Sequence, residues 1–288
     1  MKKVLITGGG GFVGGAVLKA LMEEKDVEVH ALHRKVEKIR DKICFHQCDL
    51  MDYRQVNRLI ECIKPDYLVH LAWNVEHSTY LHSSENLLWV GASLNLLKCF
   101  AENKGRRVFM CGTCFEQIEP LSLYAVSKRT LCQIAWNYCE TRKLSFVWGR
   151  LFYLYGEGEK ITRVVPYAIT ELLEGHKVIC KNASAVRDYM YVKDAGNAIV
   201  KTLLSKAEGV IDIASGKQIT MAEIFEQIGE SCERKQAIIL QDNPVQPQKV
   251  VADVERLRKI VGFNEDTDIA KALSTTIQWW RENKLKNG

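Results

Sequence analysis

Along the first half of the chain, short unbroken apolar runs alternate with longer stretches in which apolar residues recur every three or four positions. Lys3–Thr7, with Val-Leu-Ile at its centre, reads as a buried strand, and Phe12–Met22 as the helix after it. Val27–Leu32 and Ile43–Gln47 predict a second and a third strand. Gln55–Ile63 has helical period, with Val56, Leu59, Ile60 and Ile63 on one face and Pro65 beyond its end. Tyr67–Leu71, Arg107–Cys111 and Ser145–Leu151 predict three more strands, with helices Glu85–Glu102 and Leu123–Thr141 between them. Strands separated by helices imply a parallel sheet covered on both faces by crossovers. The expected fold class is therefore α/β, a Rossmann-like doubly wound sheet.

After Gly156 the rhythm loosens. Thr162–Leu173, Val192–Leu204, Met221–Cys232, Val254–Val261 and Ile269–Glu282 read as helices, and Gly209–Ile213 as a late strand. Gln241–Gln248, with Pro244 and Pro247, is the most loop-like stretch. Residues 1–156 are expected to form a dinucleotide-binding domain. Residues 157–288 are expected to form a smaller, mainly substrate-binding lobe, with 192–216 returning to the sheet.

Bulk properties remove several function classes. The net charge of +5 is spread over isolated residues and Lys/Arg pairs, too diffuse for a nucleic-acid or membrane surface. Three apolar residues after Met1-Lys-Lys are too few for a secretory leader, and nothing approaches the ~18 apolar residues of a membrane span. A cytoplasmic protein is expected. Its ten cysteines then read mostly as small buried hydrophobes. Cys111-Gly-Thr-Cys114 has C-x-x-C spacing, but no second ligand pair follows and it ends a strand, so neither zinc nor redox use is expected and no metal is assigned.

Candidate chemistry begins at Thr7-Gly-Gly-Gly-Gly-Phe-Val-Gly14, between a strand and a helix. Gly8, Gly11 and Gly14 recur at three-residue spacing, while Gly9, Gly11 and Gly14 satisfy G-x-G-x-x-G; the run alone does not choose between them. Either way, the missing Cβ atoms permit a tight turn and close backbone approach to a pyrophosphate at a helix N-terminus. The second strand ends Ala31-Leu32-His33-Arg34, without the acid that would accept from the adenosine ribose in an NAD enzyme. Arg34, helped by His33 and Lys35, suits a 2′-phosphate instead, which favours NADP(H) while leaving NAD(H) open. Asp49 and Leu50 are placed to flank the adenine, although Asp49 reads equally well as a helix cap.

Tyr124 and Lys128 lie four apart on a predicted helix and so share a face. A free phenol titrates near ~10, so the expectation is that the Lys128 ammonium and a positively charged nicotinamide lower the Tyr124 pKa. Thr113 ends the fifth strand, where its hydroxyl can hydrogen-bond a reacting oxygen.

Thr7–Gly14, His70-Leu71-Ala72, Thr113, Tyr124-x-x-x-Lys128, Arg150-Leu-Phe-x-x-Tyr-Gly156, Arg187-Asp-Tyr-Met-Tyr-Val-x-Asp194, Ile213-Ala-Ser-Gly216 and Ala252-Asp253 together resemble the extended short-chain dehydrogenase/reductase family. Members are mostly nucleotide-sugar epimerases, dehydratases and reductases. The resemblance implies a catalytic triad of Thr113, Tyr124 and Lys128. It implies cofactor contacts from Gly8, Gly11, Phe12, Val13, Gly14, His33, Arg34, Asp49, Leu50, Leu71, Ala72, Trp73, Tyr124 and Lys128. On the substrate side it implies Arg187 on a diphosphate, with Tyr153 and Glu116 nearby, and a homodimer packed through the Glu85–Glu102 and Leu123–Thr141 helices.

Departures from the family pattern narrow the activity. Cys114-Phe115-Glu116 lacks the acid pair that dehydratases place after the Thr, Tyr153 stands where many epimerases have Asn, and Trp73 replaces a small residue. With no acid at the end of the second strand, the expected function is an NADPH-dependent reductase of a nucleotide-linked keto sugar, in this family most often a 4-keto-6-deoxyhexose. The alternative is an NAD-dependent nucleotide-sugar epimerase. A non-catalytic dinucleotide-binding scaffold is disfavoured because Tyr124 and Lys128 are both present.

Overall fold

A computed structural model of the chain describes residues 1–33, 43–243, 248–265 and 267–284. In chain order the elements are β1 (Lys2–Thr7), α1 (Phe12–Glu23), β2 (Val27–His33), β3 (Ile43–Gln47), α2 (Tyr53–Ile63), β4 (Tyr67–His70), α3 (Glu85–Glu102), β5 (Arg107–Thr113), α4 (Leu123–Thr141) and β6 (Ser145–Leu151). Then follow β7 (Tyr153–Tyr155), α5 (Val164–Leu173), β8 (Val178–Cys180), β9 (Val186–Arg187), β10 (Tyr189–Tyr191), α6 (Val192–Leu204), β11 (Gly209–Ile213) and β12 (Ile219–Thr220). The chain ends with α7 (Met221–Ser231), β13 (Ile238–Leu240), β14 (Lys249–Val250), α8 (Glu255–Lys259) and α9 (Ile269–Lys284). Two compact units result. The first comprises Met1–Leu151, Gly196–Ile213 and Glu255–Phe263; the second comprises Phe152–Ala195, Ala214–Val254 and Asn264–Gly288.

The first unit is built on a seven-stranded sheet in the order β11-β6-β5-β4-β1-β2-β3, with every pairing parallel. Side chains alternate across it. Leu5, Leu68, Val108 and Met110 join one core cluster with Val56 and Ile60 of α2, Leu96 and Phe100 of α3, and Leu131 of α4. Val4 and Ile6 are equally buried and point to the other face. There α1 and α6 approach so closely that a Cβ on Gly196 would lie 2.7 Å from the Ala16 backbone. Each such fully buried aliphatic side chain is worth about 1.5–3 kcal/mol over an exposed one.

Polar details fix the ends. Asp52 caps α2 by accepting from the Arg54 and Gln55 amides at 3.0 and 3.1 Å, and Lys64, left-handed at φ 50°, closes it before Pro65. Buried Arg107 starts β5 and donates to the carbonyls of Leu203 (2.7 Å), Thr202 (3.0 Å) and Ala207, so it gathers the last turn of α6 and the run into β11. Arg150 of β6 pairs with Asp212 of β11 at 2.6 Å, across the register that sets those residues opposite each other. The helix expected over Val254–Val261 is shorter, covering Glu255–Lys259. Among the described residues, no helix is long and apolar enough to cross a membrane.

The second unit uses strands of two or three residues. β7 and β10 pair in parallel, β9 lies between antiparallel β12 and parallel β14, and β13 pairs with β8. None of these short strands was marked by the apolar rhythm. The α7 helix begins with a capping box, in which the Thr220 hydroxyl accepts from the Glu223 amide and the Glu223 carboxylate accepts from the Thr220 amide.

Candidate active site

The turn from β1 to α1 requires glycine at two places and is tight at a third. Gly8 is left-handed at φ 75°, and a Cβ on it would lie 2.8 Å from the Ala72 amide nitrogen. The Gly11 amide donates to the Gly8 carbonyl at 3.0 Å. A Cβ on Gly14 would sit 2.0 Å from that same carbonyl oxygen. At Gly9, by contrast, the nearest obstacle is the movable end of Leu18 at 3.0 Å. The geometry therefore selects Gly8, Gly11 and Gly14 rather than the reading that starts at Gly9. Gly11 is the N-cap of α1 and brings no side chain to the first-turn amides, while Phe12 and Val13 are half-buried in that turn. Free amides, a helix dipole and a cradle that any Cβ would fill fit the pyrophosphate of a dinucleotide.

His33, at the end of β2, packs edge-on against Phe45 with ring centroids 4.9 Å apart, and its Nε2 lies 3.4 Å from where a Gly9 Cβ would be. Arg34 and Lys35 lie outside the described residues. Asp49 is exposed and accepts from the Met51 amide at 3.0 Å; the α2 cap is Asp52, which settles the alternative reading of Asp49. Leu50 is buried in the core cluster.

A continuous hydrogen-bond chain runs behind the glycine turn. Ser93 Oγ donates to the Trp89 carbonyl at 2.7 Å, so it accepts from His70 Nε2 at 2.8 Å. His70 Nδ1 then accepts from Thr7 Oγ1 at 2.7 Å, and Thr7 Oγ1 accepts from the Ala72 amide at 3.3 Å. Burial first, and the Lys128 charge second, push the His70 pKa down to about 3. A neutral ring with one donor and one acceptor is what this chain needs. It pins Leu71 and Ala72, whose backbone borders the turn at Gly8.

The triad residues come together. Thr113 ends β5, where its hydroxyl acts to lower the Tyr124 pKa and accepts from the Phe115 amide at 3.3 Å. Ser122 caps α4 by accepting from the Ala125 amide at 3.2 Å, and the Tyr124 amide donates to the Leu81 carbonyl at 3.0 Å, so the helix start is tied on both sides. The Tyr124 ring is packed edge-on by Tyr80, Trp73 and Phe115. Lys128 is buried, donates to the Cys111 carbonyl at 2.8 Å and lies 3.8 Å from the centroid of the Trp73 ring. The Trp73 indole N–H in turn donates to Asn86 Oδ1 at 2.8 Å.

Burial of Tyr124 works against the expected lowering of its pKa. Tyr124 is raised well above its ordinary pKa, burial being the largest cause, rather than lowered by Lys128. The ammonium is held by a carbonyl and an indole face, and stands 6.0 Å from the phenol ring centroid. Burial also pulls Lys128 down to about 8.

Glu116, expected as a substrate contact, is instead buried behind Thr113. Its Oε1 accepts from the Thr113 amide at 2.8 Å, completing a capping box, and both oxygens accept from Trp148 Nε1 at 3.1 and 3.0 Å. A Cβ on Gly112 would lie 2.1 Å from that indole nitrogen, so glycine there is what lets Trp148 reach. Burial raises the Glu116 pKa, opposed by the Thr113 amide and Trp148. Cys111 and Cys114, at the end of β5 and the start of the following turn, form no disulfide.

In the second unit, Arg187 is mostly buried, lies 5.6 Å from the Tyr153 ring centroid and donates from Nη1 to the carbonyls of Val186 (2.9 Å) and Gln248 (3.3 Å). An aromatic at position 153 thus forms a shelf for the guanidinium. Asp188 carries a role that sequence reasoning missed. Fully buried, it accepts from the amides of Ser215 (3.0 Å), Gly216 (2.9 Å) and Ala252 (3.2 Å) and from Ser215 Oγ (2.6 Å). The signal was an acid inside an aromatic run. Glu159 was also missed: burial raises its pKa to about 8, and its Oε2 is buried without a hydrogen bond.

Residues 4–214 match the NAD dependent epimerase/dehydratase family. The chain is 27% identical over 281 residues to GDP-6-deoxy-D-talose 4-dehydrogenase of Aggregatibacter actinomycetemcomitans, covering 90% of this chain and 91% of that protein. Its fold is similar to that of a UDP-glucose 4-epimerase from Thermotoga maritima, with a TM-score of 0.87 and 20% identity, covering 98% of this chain and 99% of the other. It is also similar to Thermus thermophilus UDP-glucose 4-epimerase in complex with NAD, with a TM-score of 0.84 and 24% identity over 97% and 99% of the two chains.

Proposed function

The chain belongs to the NAD dependent epimerase/dehydratase family, and from that premise we propose that it is an NADPH-dependent reductase of a nucleotide-linked keto sugar, with a 4-keto-6-deoxyhexose as its substrate. The observation that carries this reading is the meeting of Thr113 and Tyr124 beside a buried Lys128. The name of the relative quoted above, which specifies a dehydrogenase at carbon 4 of a GDP-linked 6-deoxy sugar, supports the substrate class.

A bound nicotinamide supplies hydride to the carbonyl carbon. The chain's own residues do the rest. Thr113 holds the carbonyl oxygen, and Tyr124 gives its phenolic proton to that oxygen as negative charge develops, leaving an alcohol. Lys128, charged below about pH 8, offsets the resulting phenolate and positions the nicotinamide ribose. The glycine turn and the uncapped start of α1 hold the pyrophosphate. His33 and Arg34, in the absence of an acid at the end of β2, favour the 2′-phosphate of NADPH. Arg187, steadied by Tyr153, pairs with the substrate diphosphate. The active form is a homodimer packed through α3 and α4, on which Leu87, Leu88, Val126 and Ile134 are exposed.

The test is cofactor identity and consumption. Protein purified with an empty site, preferring NADPH and consuming it against nucleotide-linked 4-keto sugars, supports the reductase. Stoichiometric bound NAD, with inversion at the sugar and no net cofactor consumption, points to the epimerase.

A further inference from the structure

The edge of the sheet farthest from the triad strands carries a second set of chemical groups. Glu28 and His30 are two apart on β2, and Cys44 and His46 are two apart on β3. Side chains two apart in a strand share a face, and the parallel register sets His30 opposite Cys44. All four therefore stand on one face of the β2–β3 pair. One ligating atom each from Glu28, His30 and Cys44 lie within 4.8 Å of one another. His30 Nε2 is 2.9 Å from Glu28 Oε1, and His30 Nδ1 is 2.9 Å from His46 Nε2.

We propose that Glu28, His30 and Cys44 bind a zinc ion, with His46 orienting His30 and water completing the coordination. The donor chemistry fits: imidazole, thiolate and carboxylate together are the ligand types of zinc sites. Tetrahedral zinc with ordinary bond lengths sets its donor atoms roughly 3.3–3.8 Å apart. The present spacing needs only a small opening between His30 and Glu28 and a small closure at Cys44. The ion takes the place of the proton now shared by His30 Nε2 and Glu28. His30 Nδ1–H then donates to His46, which fixes the tautomer in the way ligand histidines are commonly held.

Charge also balances, since a thiolate and a carboxylate neutralise a divalent cation. Lys3 is the cation whose charge reaches His30, and its ammonium is drawn to the Ile63 carbonyl at 3.2 Å. His30 is buried and Cys44 exposed, so the ion has a rigid floor and an open approach. Glu28 and Cys44 sit near the starts of β2 and β3 and His30 at the middle of β2, whereas the glycine turn and Thr113 lie at carboxyl ends of strands. The site is therefore a staple between β2 and the edge strand β3, separate from catalysis.

The test uses the full chain stripped with chelator and titrated with Zn2+ against a chromophoric competitor, with Co2+ as a spectroscopic probe. One Zn2+ per chain, a thiolate-to-cobalt charge-transfer band, and a rise in Tm with Zn2+ are expected. Cys44→Ser, at an exposed position, is expected to weaken binding at least about tenfold and abolish both the band and the Tm rise. His46→Gln is expected to weaken it less, and Cys62→Ser, another exposed thiol, to change nothing. Dinucleotide affinity is expected to stay the same in all three. Absence of stoichiometric Zn2+ binding, or binding unchanged in Cys44→Ser, overturns the proposal.

Discussion

Thr113, Tyr124 and Lys128 in the first unit, and Tyr153, Glu159 and Arg187 in the second, are held by different kinds of structure. The first three end a seven-residue strand or begin a nineteen-residue helix, and each is fixed from behind: Thr113 by Glu116, Tyr124 by Ser122 and Leu81, Lys128 by Cys111. The second three sit on strands of two or three residues or in a loop, and their order depends on side chains such as Asp188. Such a difference suits a division of labour. On the proposed function, long elements keep the reacting groups in place, while short ones let a binding surface change with its substrate.

The contrast predicts where substitutions act. Tyr124→Phe removes the proton donor and is expected to lower kcat by about 10²–10⁴-fold, with dinucleotide affinity kept within several-fold; unchanged turnover would sink the mechanism. Gly14→Ala pushes a methyl group into the Gly8 carbonyl, so dinucleotide binding is expected to be lost in titration calorimetry while a Tyr124→Phe control still binds. Arg187→Met is expected to act on KM rather than kcat, by about 1.5–3 kcal/mol, the worth of a hydrogen bond to a charged group. A matching fall in kcat would mean that the second unit also sets the chemistry.

A smaller effect concerns Lys128. Its burial-lowered pKa of about 8 predicts that kcat/KM falls as pH rises through that value, because the ammonium is lost. Trp73→Ala removes the covering indole and admits water, so this alkaline limb is expected to move up in a pH–rate profile. A limb that stays put would show that the indole is not what dries the site.

A further effect, on stability rather than turnover, belongs to Glu159. Its folded pKa of about 8 lies above the ordinary carboxyl value, so between the two the folded state binds more protons than the unfolded state. Stability therefore declines as pH rises through that window. Glu159→Gln is expected to flatten the decline in denaturant titrations; an equally steep one in the variant would place its cause elsewhere.

Legibility followed the same divide. Strand and helix periods are clear where elements are long, and Glu85–Glu102, Leu123–Thr141 and Ser145–Leu151 were read from the sequence at the limits the structure has. Two-residue strands such as Val186–Arg187 have no period to detect. The residue types at Thr113, Tyr124 and Lys128 were visible, but their electrostatics were not. Helical spacing brings Lys128 near Tyr124, yet only three-dimensional packing shows that Trp73 and Cys111 hold the ammonium and that burial decides the phenol. Glu116 misled for a related reason. An acid three residues past a strand end can face a ligand or fold back as a cap, and the deciding partner, Trp148, is distant in sequence.

The most direct measurement is the fate of the dinucleotide when the purified protein meets a nucleotide-linked 4-keto-6-deoxyhexose. The account predicts that NADPH is consumed in equal amount to the sugar alcohol formed, and that Tyr124→Phe stops both. Tightly bound NAD that survives purification, with the sugar inverted and no cofactor consumed, would contradict it.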